Sequence, residues 1–222
     1  MKREPKSEKF VRTILFWAKH NLRDFPWRRT NDPYRILVAE VMLQRTKVEK
    51  VVPVYKDFVN RYPDPQALAR APLEDIVTCI ESLGLRKRAK ALKLLAEQIV
   101  NDYASVIPKN RMELLALFGV GNYIADAVLC HAYGIQTITI DANLARVFKR
   151  VFSLKTKGIA QKDKTVRLLA ARILKHANGH CRELNLAIID LASSICTPKN
   201  PKCPECFLNA LCDYAKQLRS LR

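Results

Sequence analysis

No run of apolar residues in this 222-residue chain approaches the ~18 that a membrane-spanning helix requires, and the opening Met1-Lys2-Arg3-Glu4-Pro5-Lys6-Ser7-Glu8-Lys9 has no apolar signal core. Both absences point to an intracellular protein with no membrane partner. Acidic residues are in short supply. Against 39 Lys and Arg there are only 21 Asp and Glu, giving a formal charge of +18 and a pI near 9.8. A surplus of that size favours a polyanionic partner, nucleic acid first, over a generally basic surface with no polyanion to bind. Repeats, low-complexity tracts and long linkers are also missing, so two lobes, if present, must be closely packed.

What is present is helical. Apolar residues recur at helical spacing at Phe10, Val11, Ile14, Leu15 and Ala18, again from Val48 to Val59, and again from Ala89 to Ile99. Asp32-Pro33 and Asp64-Pro65 each place a capping side chain ahead of a proline that suits a first helical turn, and Gly84 ends the stretch from Leu73. About ten helices are expected, with only Gln136–Ile140 reading as extended, too little for a sheet. The fold class is therefore all-α, in a chain that leaves one lobe and returns to it.

Between two apolar helical stretches lies Leu117-Phe118-Gly119-Val120-Gly121-Asn122-Tyr123-Ile124-Ala125. Glycines at 119 and 121 let the backbone enter conformations barred to other residues, so that successive N–H groups point outward at the start of the next helix and form a nest for a phosphate oxygen. The loop lacks the lysine of a nucleotide-binding P-loop and the strands of a βαβ unit, which assigns the phosphate to a polymer backbone. An ordinary helix-connecting turn is the competing reading. Twenty residues after Gly121 comes Asp141, in Thr-Ile-Asp-Ala-Asn. By position alone it caps the helix that begins at Ala142. Glu40 sits in the apolar stretch Ile36–Leu43, where burial would raise its pKa and keep a proton available, or where it would serve as a buried structural carboxylate.

Four of the seven cysteines, Cys196, Cys203, Cys206 and Cys212, fall within seventeen residues in a C-x6-C-x2-C-x5-C pattern. Such compact spacing suits a metal centre better than disulfides in a chain without a signal peptide. Zinc and a [4Fe–4S] cluster both accept four thiolates; zinc sites usually pair two short knuckles, and the single short pair here favours iron–sulfur. Lys199 and Lys202 lie in the first gap, either presented to a DNA phosphate or simply solvated.

Taken together, the glycine turn, Asp141 and the cysteine tail resemble the helix-hairpin-helix (HhH-GPD) DNA glycosylases of the endonuclease III/MutY branch. The resemblance extends to Asp24-Phe25-Pro26-Trp27-Arg28, to Pro33 through Thr46, and to Asp190-Leu191. It implies a six-helix barrel lobe over residues 30–136 carrying the hairpin. It also implies a second lobe from residues 1–29 and 137–222 holding the [4Fe–4S] loop (196–212), with DNA bound across a cleft. Tyr123 stands where the bifunctional branch has a Schiff-base lysine, a role a phenol cannot fill, so the resemblance implies a monofunctional enzyme that leaves an abasic site. Asp141-Ala142-Asn143 looks like the Mig-type thymine mismatch glycosylases, where MutY enzymes usually have Asp-Gly-Asn. Leu184-Asn185-Leu186 replaces the MutY Phe-Asn-Gln, and Leu186 offers adenine no hydrogen bond. Gly84-Leu85-Arg86 replaces an aromatic wedge, and the ten residues after Cys212 leave no room for the 8-oxoguanine-reading domain. Gln44 departs from this trend and agrees with MutY.

On this resemblance the expected substrate is double-stranded DNA with a mismatched or deaminated base, bound by a monomer associated with the nucleoid. Thymine or uracil opposite guanine is flipped out and excised. Asp141 would stabilise the sugar cation, Glu40 would assist the base or the water, and Tyr123 would stack on the extruded nucleotide. Gln44 and Arg45 would fill the gap, Gly119, Val120 and Gly121 would grip the strand, and Leu186 would line the base pocket. An adenine glycosylase lacking the extra domain and a catalytically silent DNA-binding module are the alternatives. Phosphate-led binding makes log affinity fall linearly with log salt, with a slope of about −0.9 per neutralised phosphate. A salt titration against duplex DNA checks this, and a flat line would contradict it.

Overall fold

The computed structural model describes residues 4–84 and 86–220, the side chain of Gln161 excepted, so Leu85 of the expected wedge lies outside the described residues. Its helices begin where the capping chemistry says they should. The Asp32 carboxylate accepts from the N–H groups of Tyr34 (2.9 Å) and Arg35 (3.2 Å), and Asp64 accepts from that of Ala67 (2.7 Å). Twelve α-helices and no strand occur among the described residues. In order they are α1 (Lys6–Asn21), α2 (Pro33–Leu43), α3 (Val48–Arg61), α4 (Pro65–Arg70), α5 (Leu73–Ile80) and α6 (Arg86–Tyr103). Then follow α7 (Arg111–Ala116), α8 (Asn122–Tyr133), α9 (Ala142–Phe152), α10 (Lys164–Lys175), α11 (Cys181–Ser194) and α12 (Asp213–Ser220). Gly84, at φ 80°, ends the short turn after α5 in the left-handed region, a place where a side chain would be strained.

The chain divides into two compact units, Asp24–Ile135 and the combination of Met1–Arg23 with Gln136–Arg222. The first has its own core, in which Leu37, Met42, Phe58, Ile76, Leu92 and Leu114 are fully buried. Asp24–Arg29 belongs to this unit for a visible reason: Phe25 stacks on Trp27 at 5.2 Å, and Trp27 meets Tyr55 of α3 edge-on at 5.2 Å. Helix α2, buried along most of its length, packs against α3, α6 and α8.

The second unit is built from both ends of the chain. Helix α1 packs on α10 and α11, with Phe10 edge-on to Phe148 (6.0 Å) and Phe152 (5.4 Å) of α9. Trp17 stacks on Phe207 at 4.8 Å, tying α1 to the cysteine-rich loop. Arg23 closes the first pass through this unit, its backbone N–H and its Nε donating to the buried Asp190 carboxylate at 2.9 and 2.8 Å.

Gln136–Ile140, expected to be extended, forms neither helix nor strand, and one side chain ties down the backbone at Thr137 and Thr139. Asn185 of α11, 1% exposed, accepts at Oδ1 from the Thr139 N–H (2.9 Å) and hydroxyl (3.1 Å), while its Nδ2 donates to the carbonyls of Thr137 (3.0 Å) and Cys181 (2.8 Å). An amide is the one neutral side chain that supplies both donor and acceptor in this way. Asn185→Leu, which keeps the branched shape but is bulkier and strands a buried N–H and carbonyl, is expected to cost about 3 kcal/mol of stability, read as a lower denaturant midpoint with an unchanged slope.

Candidate active site

Asp141 is the N-cap of α9: its Oδ1 accepts from the Leu144 N–H at 2.8 Å. Capping uses only one oxygen. The other, Oδ2, accepts from the Asn143 side-chain amide at 2.7 Å, and the Asn143 carbonyl oxygen in turn accepts from Arg146 Nη1 at 3.0 Å. Arg146 is itself anchored, with Nε donating to the Cys196 carbonyl (2.9 Å) and Nη2 to that of Ala192 (2.9 Å). A continuous set of hydrogen bonds therefore runs from the first cysteine of the tail to the half-buried carboxylate. Burial pulls the Arg146 pKa below the usual arginine range, and Cys196 and Asp141 oppose that pull; a guanidinium stays charged under it. The carboxylate is fixed in orientation, while the oxygen lone pairs not engaged here remain open to a reacting group.

One turn further along α9, Arg150 wraps the tail. It donates through Nη1 to the Thr197 carbonyl (2.7 Å) and the Cys196 sulfur (3.4 Å), donates through Nη2 to the Pro198 carbonyl (3.0 Å), and lies over the Tyr214 ring. Cys196, Cys203, Cys206 and Cys212 are all free thiols and line one small cavity with Arg150, Leu191, Ile195 and Leu208. Burial pushes the Cys206 thiol up to about 11 and raises those of Cys203 and Cys212, so holding thiolates here needs a metal that competes strongly with protons. Among the described residues no three His, Cys, Asp or Glu side chains are grouped for a single metal ion. Four cysteines around one cavity match the four thiolates that a [4Fe–4S] cluster takes. Lys199 and Lys202 are exposed on this loop, whose turn is fixed by the Thr197 hydroxyl donating to the Lys199 carbonyl at 2.7 Å.

In the unit Asp24–Ile135, α7 and α8 form the expected hairpin. Arg111 of α7 clamps α8 by donating to Asp126 (2.9 Å) and Asn122 (2.7 Å). Gln98 of α6 braces the turn, donating to the Ala116 carbonyl (3.1 Å) and accepting from the Phe118 N–H (2.8 Å). Gly119, at φ 77°, needs its freedom. Gly121 does not. At φ −97° and ψ 179° it has ordinary extended backbone, which corrects the expectation that both glycines are conformationally required. A Cβ at Gly121 would meet nothing within 4 Å, so this chain leaves room for a side chain there. Val120 is buried beneath the turn, and α8 starts with no side-chain cap, leaving its first N–H groups to other acceptors.

Glu40 is buried on α2 (8% exposed), and Tyr123, half-buried, lies in the first turn of the neighbouring α8. Gln44 and Arg45 are exposed just past the end of α2. Leu186 stays partly exposed on α11, between the buried Asn185 and Ala187. Sequence reasoning missed Asn143, Arg146 and Asn185, which hold Asp141 and the segment leading to it. Asn185, a lone amide among Leu184, Leu186, Ala187 and Ile188, carried a readable signal.

Residues 38–175 match the HhH-GPD superfamily base excision DNA repair proteins, and residues 196–212 match the iron–sulfur binding domain of endonuclease III. The thymine/uracil-DNA glycosylase of Methanothermobacter thermautotrophicus is 38% identical over 94% of this chain and 94% of its own length. The thymine-DNA glycosylase of Aeropyrum pernix is 39% identical over 93% of this chain and 94% of its own. A solved thermostable thymine-DNA glycosylase superposes with a TM-score of 0.86 at 36% identity, over 96% of this chain and 97% of that one. The tail thus holds a [4Fe–4S] cluster. Purified chain is expected to be brown, with about four iron and four sulfide per chain. Cys203→Ser should bleach it and lower its melting temperature, whereas a colourless zinc-replete preparation would contradict the assignment.

Proposed function

The chain belongs to the HhH-GPD superfamily of base excision DNA repair proteins, and from that premise we propose that it is a monofunctional mismatch DNA N-glycosylase. It extrudes thymine, or uracil, opposite guanine and hydrolyses the bond from the base to the deoxyribose. Such pairs arise when 5-methylcytosine or cytosine is deaminated. A mismatched base costs less to open than a paired one, so selection starts before chemistry. The observation that carries the proposal is the doubly held Asp141 carboxylate.

As the bond to the base breaks, its electron pair leaves with the base and positive charge grows at C1′. A carboxylate already locked in place stabilises that charge without reorganising. Thymine leaves through N1, whose negative charge spreads onto the C2 carbonyl and, through the C5=C6 double bond, onto the C4 carbonyl; it needs less acid help than adenine, which assigns Glu40 to orienting the attacking water. Tyr123, in place of a lysine, holds the extruded nucleotide and forms no Schiff base, so the product is an intact abasic site. Leu186 gives the pocket an apolar wall that offers adenine no hydrogen bond. The Gly119-Val120-Gly121 turn binds one strand through backbone N–H groups, while Lys199 and Lys202 meet phosphates from the cluster loop. The cluster is structural in this scheme, because hydrolysis moves no electrons. One copy of the chain suffices for the reaction.

Duplexes carrying G·T, G·U, G·A and 8-oxoG·A, treated with hot alkali after incubation, test the reading. Thymine and uracil release is expected, and strand breaks only after alkali. Adenine release without thymine would overturn it, and breaks before alkali would overturn the monofunctional assignment. Asn caps a helix as well as Asp does, so Asp141→Asn separates the two roles of the side chain. Stability and DNA affinity should hold, while the rate falls at least about 100-fold, on the order of 3 kcal/mol.

A further inference from the structure

Past Leu43, at the end of α2, the chain turns through Gln44, Arg45 and Thr46 before α3 begins. Arg45 sits at φ 57°, a left-handed conformation that a residue with a side chain adopts only at a cost. Gln44 and Arg45 are both exposed. Two local bonds support the turn, from the Thr46 N–H to the Leu43 carbonyl (3.2 Å) and from the Thr46 hydroxyl to the Gln44 carbonyl (3.2 Å). The stronger hold comes from Arg88, far away in sequence on α6. Its Nη2 donates to the Gln44 carbonyl at 2.5 Å and its Nη1 to the Thr46 hydroxyl oxygen at 3.0 Å, so one planar guanidinium brackets Arg45 from both sides.

Arg88 is only 6% exposed, and among the described residues no carboxylate pairs with it. A fold that needed only packing at this place would be served as well by an apolar side chain, which carries no buried charge to desolvate. The return on the charge is the shape of the turn.

We propose that Arg88 is the positioning residue of the gap-filling turn: it locks Gln44 and Arg45 in the conformation that enters the space left by an extruded base. The role of the turn rests on the glycosylase reading above; the locking does not. Filling a gap in a base stack with a turn that is already set avoids ordering it during extrusion.

The test uses the full-length, cluster-loaded chain with Arg88→Met and, in case that variant fails to fold, Thr46→Val at a partly exposed position. Trypsin cleavage after Arg45, followed by mass spectrometry, reads local opening of the turn. It is expected to rise at least about ten-fold in either variant, with the other cleavage sites unchanged. On a G·T duplex the single-turnover rate should fall about ten-fold, while DNA affinity stays within about two-fold. Arg88→Lys, which keeps the charge and loses the fork, should fall between the two. Unchanged cleavage after Arg45 would overturn the proposal, as would rate and affinity falling together with cleavage rising everywhere. If the wild-type chain releases no base from any duplex, the glycosylase reading fails, and the protease result still decides whether Arg88 locks the turn.

Discussion

A carboxylate can steady a cation that exists only for the instant of bond breaking if it is already in position when the charge appears. In the reaction proposed for this chain that constraint is met by α9. Its N-cap is Asp141, its first turn supplies Asn143, its second Arg146 and its third Arg150. Each is hydrogen-bonded to a neighbour on the helix or to the cysteine-rich loop. The helix does three things with one set of residues: it presents the carboxylate, fixes its rotation and buttresses the loop that holds the cluster. Since side chains three and four apart lie on one face of a helix, all three tasks fall along one edge.

The same economy explains why an iron–sulfur cluster belongs in a hydrolase. Without metal, the loop from Cys196 to Cys212 offers mainly turns, partly buried thiols and the carbonyls that Arg146 and Arg150 grip. Anchoring a guanidinium to a carbonyl is useful only if the carbonyl stays put. Crosslinking four points of a short loop through one inorganic core makes it rigid with little apolar surface of its own, and Arg146 passes that rigidity to Asn143 and the carboxylate.

Much of this was legible beforehand, and the pattern of what was not has a physical basis. Asp32, Asp64 and Gly84 act locally, and their capping and turn roles follow from the residue and its next few neighbours. Cys196 to Cys212 were legible for the same reason. Arg146 and Arg88 read as ordinary helix cations, because the groups they bind lie about forty to fifty positions away in the chain. Gly121 misled in the opposite direction: its backbone is ordinary, and the surrounding chain leaves room for a side chain there. Asp141 was legible as a cap, and the cap is real; that it is also held by Asn143 emerges only from the three-dimensional arrangement.

The interrupted path of the chain has a consequence for how the protein is made. Residues 24–135 emerge from the ribosome as one block and can complete their core without anything that follows. The other unit cannot. Helix α1, synthesised early, must wait for α10, α11 and the aromatic platform of Phe207 before its apolar face is covered. Lys6 finds Asp213 only after the cluster loop has been made. The four-cysteine set is complete only once Cys212 has been made, and a ribosome that stalls before it yields a nascent fragment with a folded hairpin and an unfinished cluster loop.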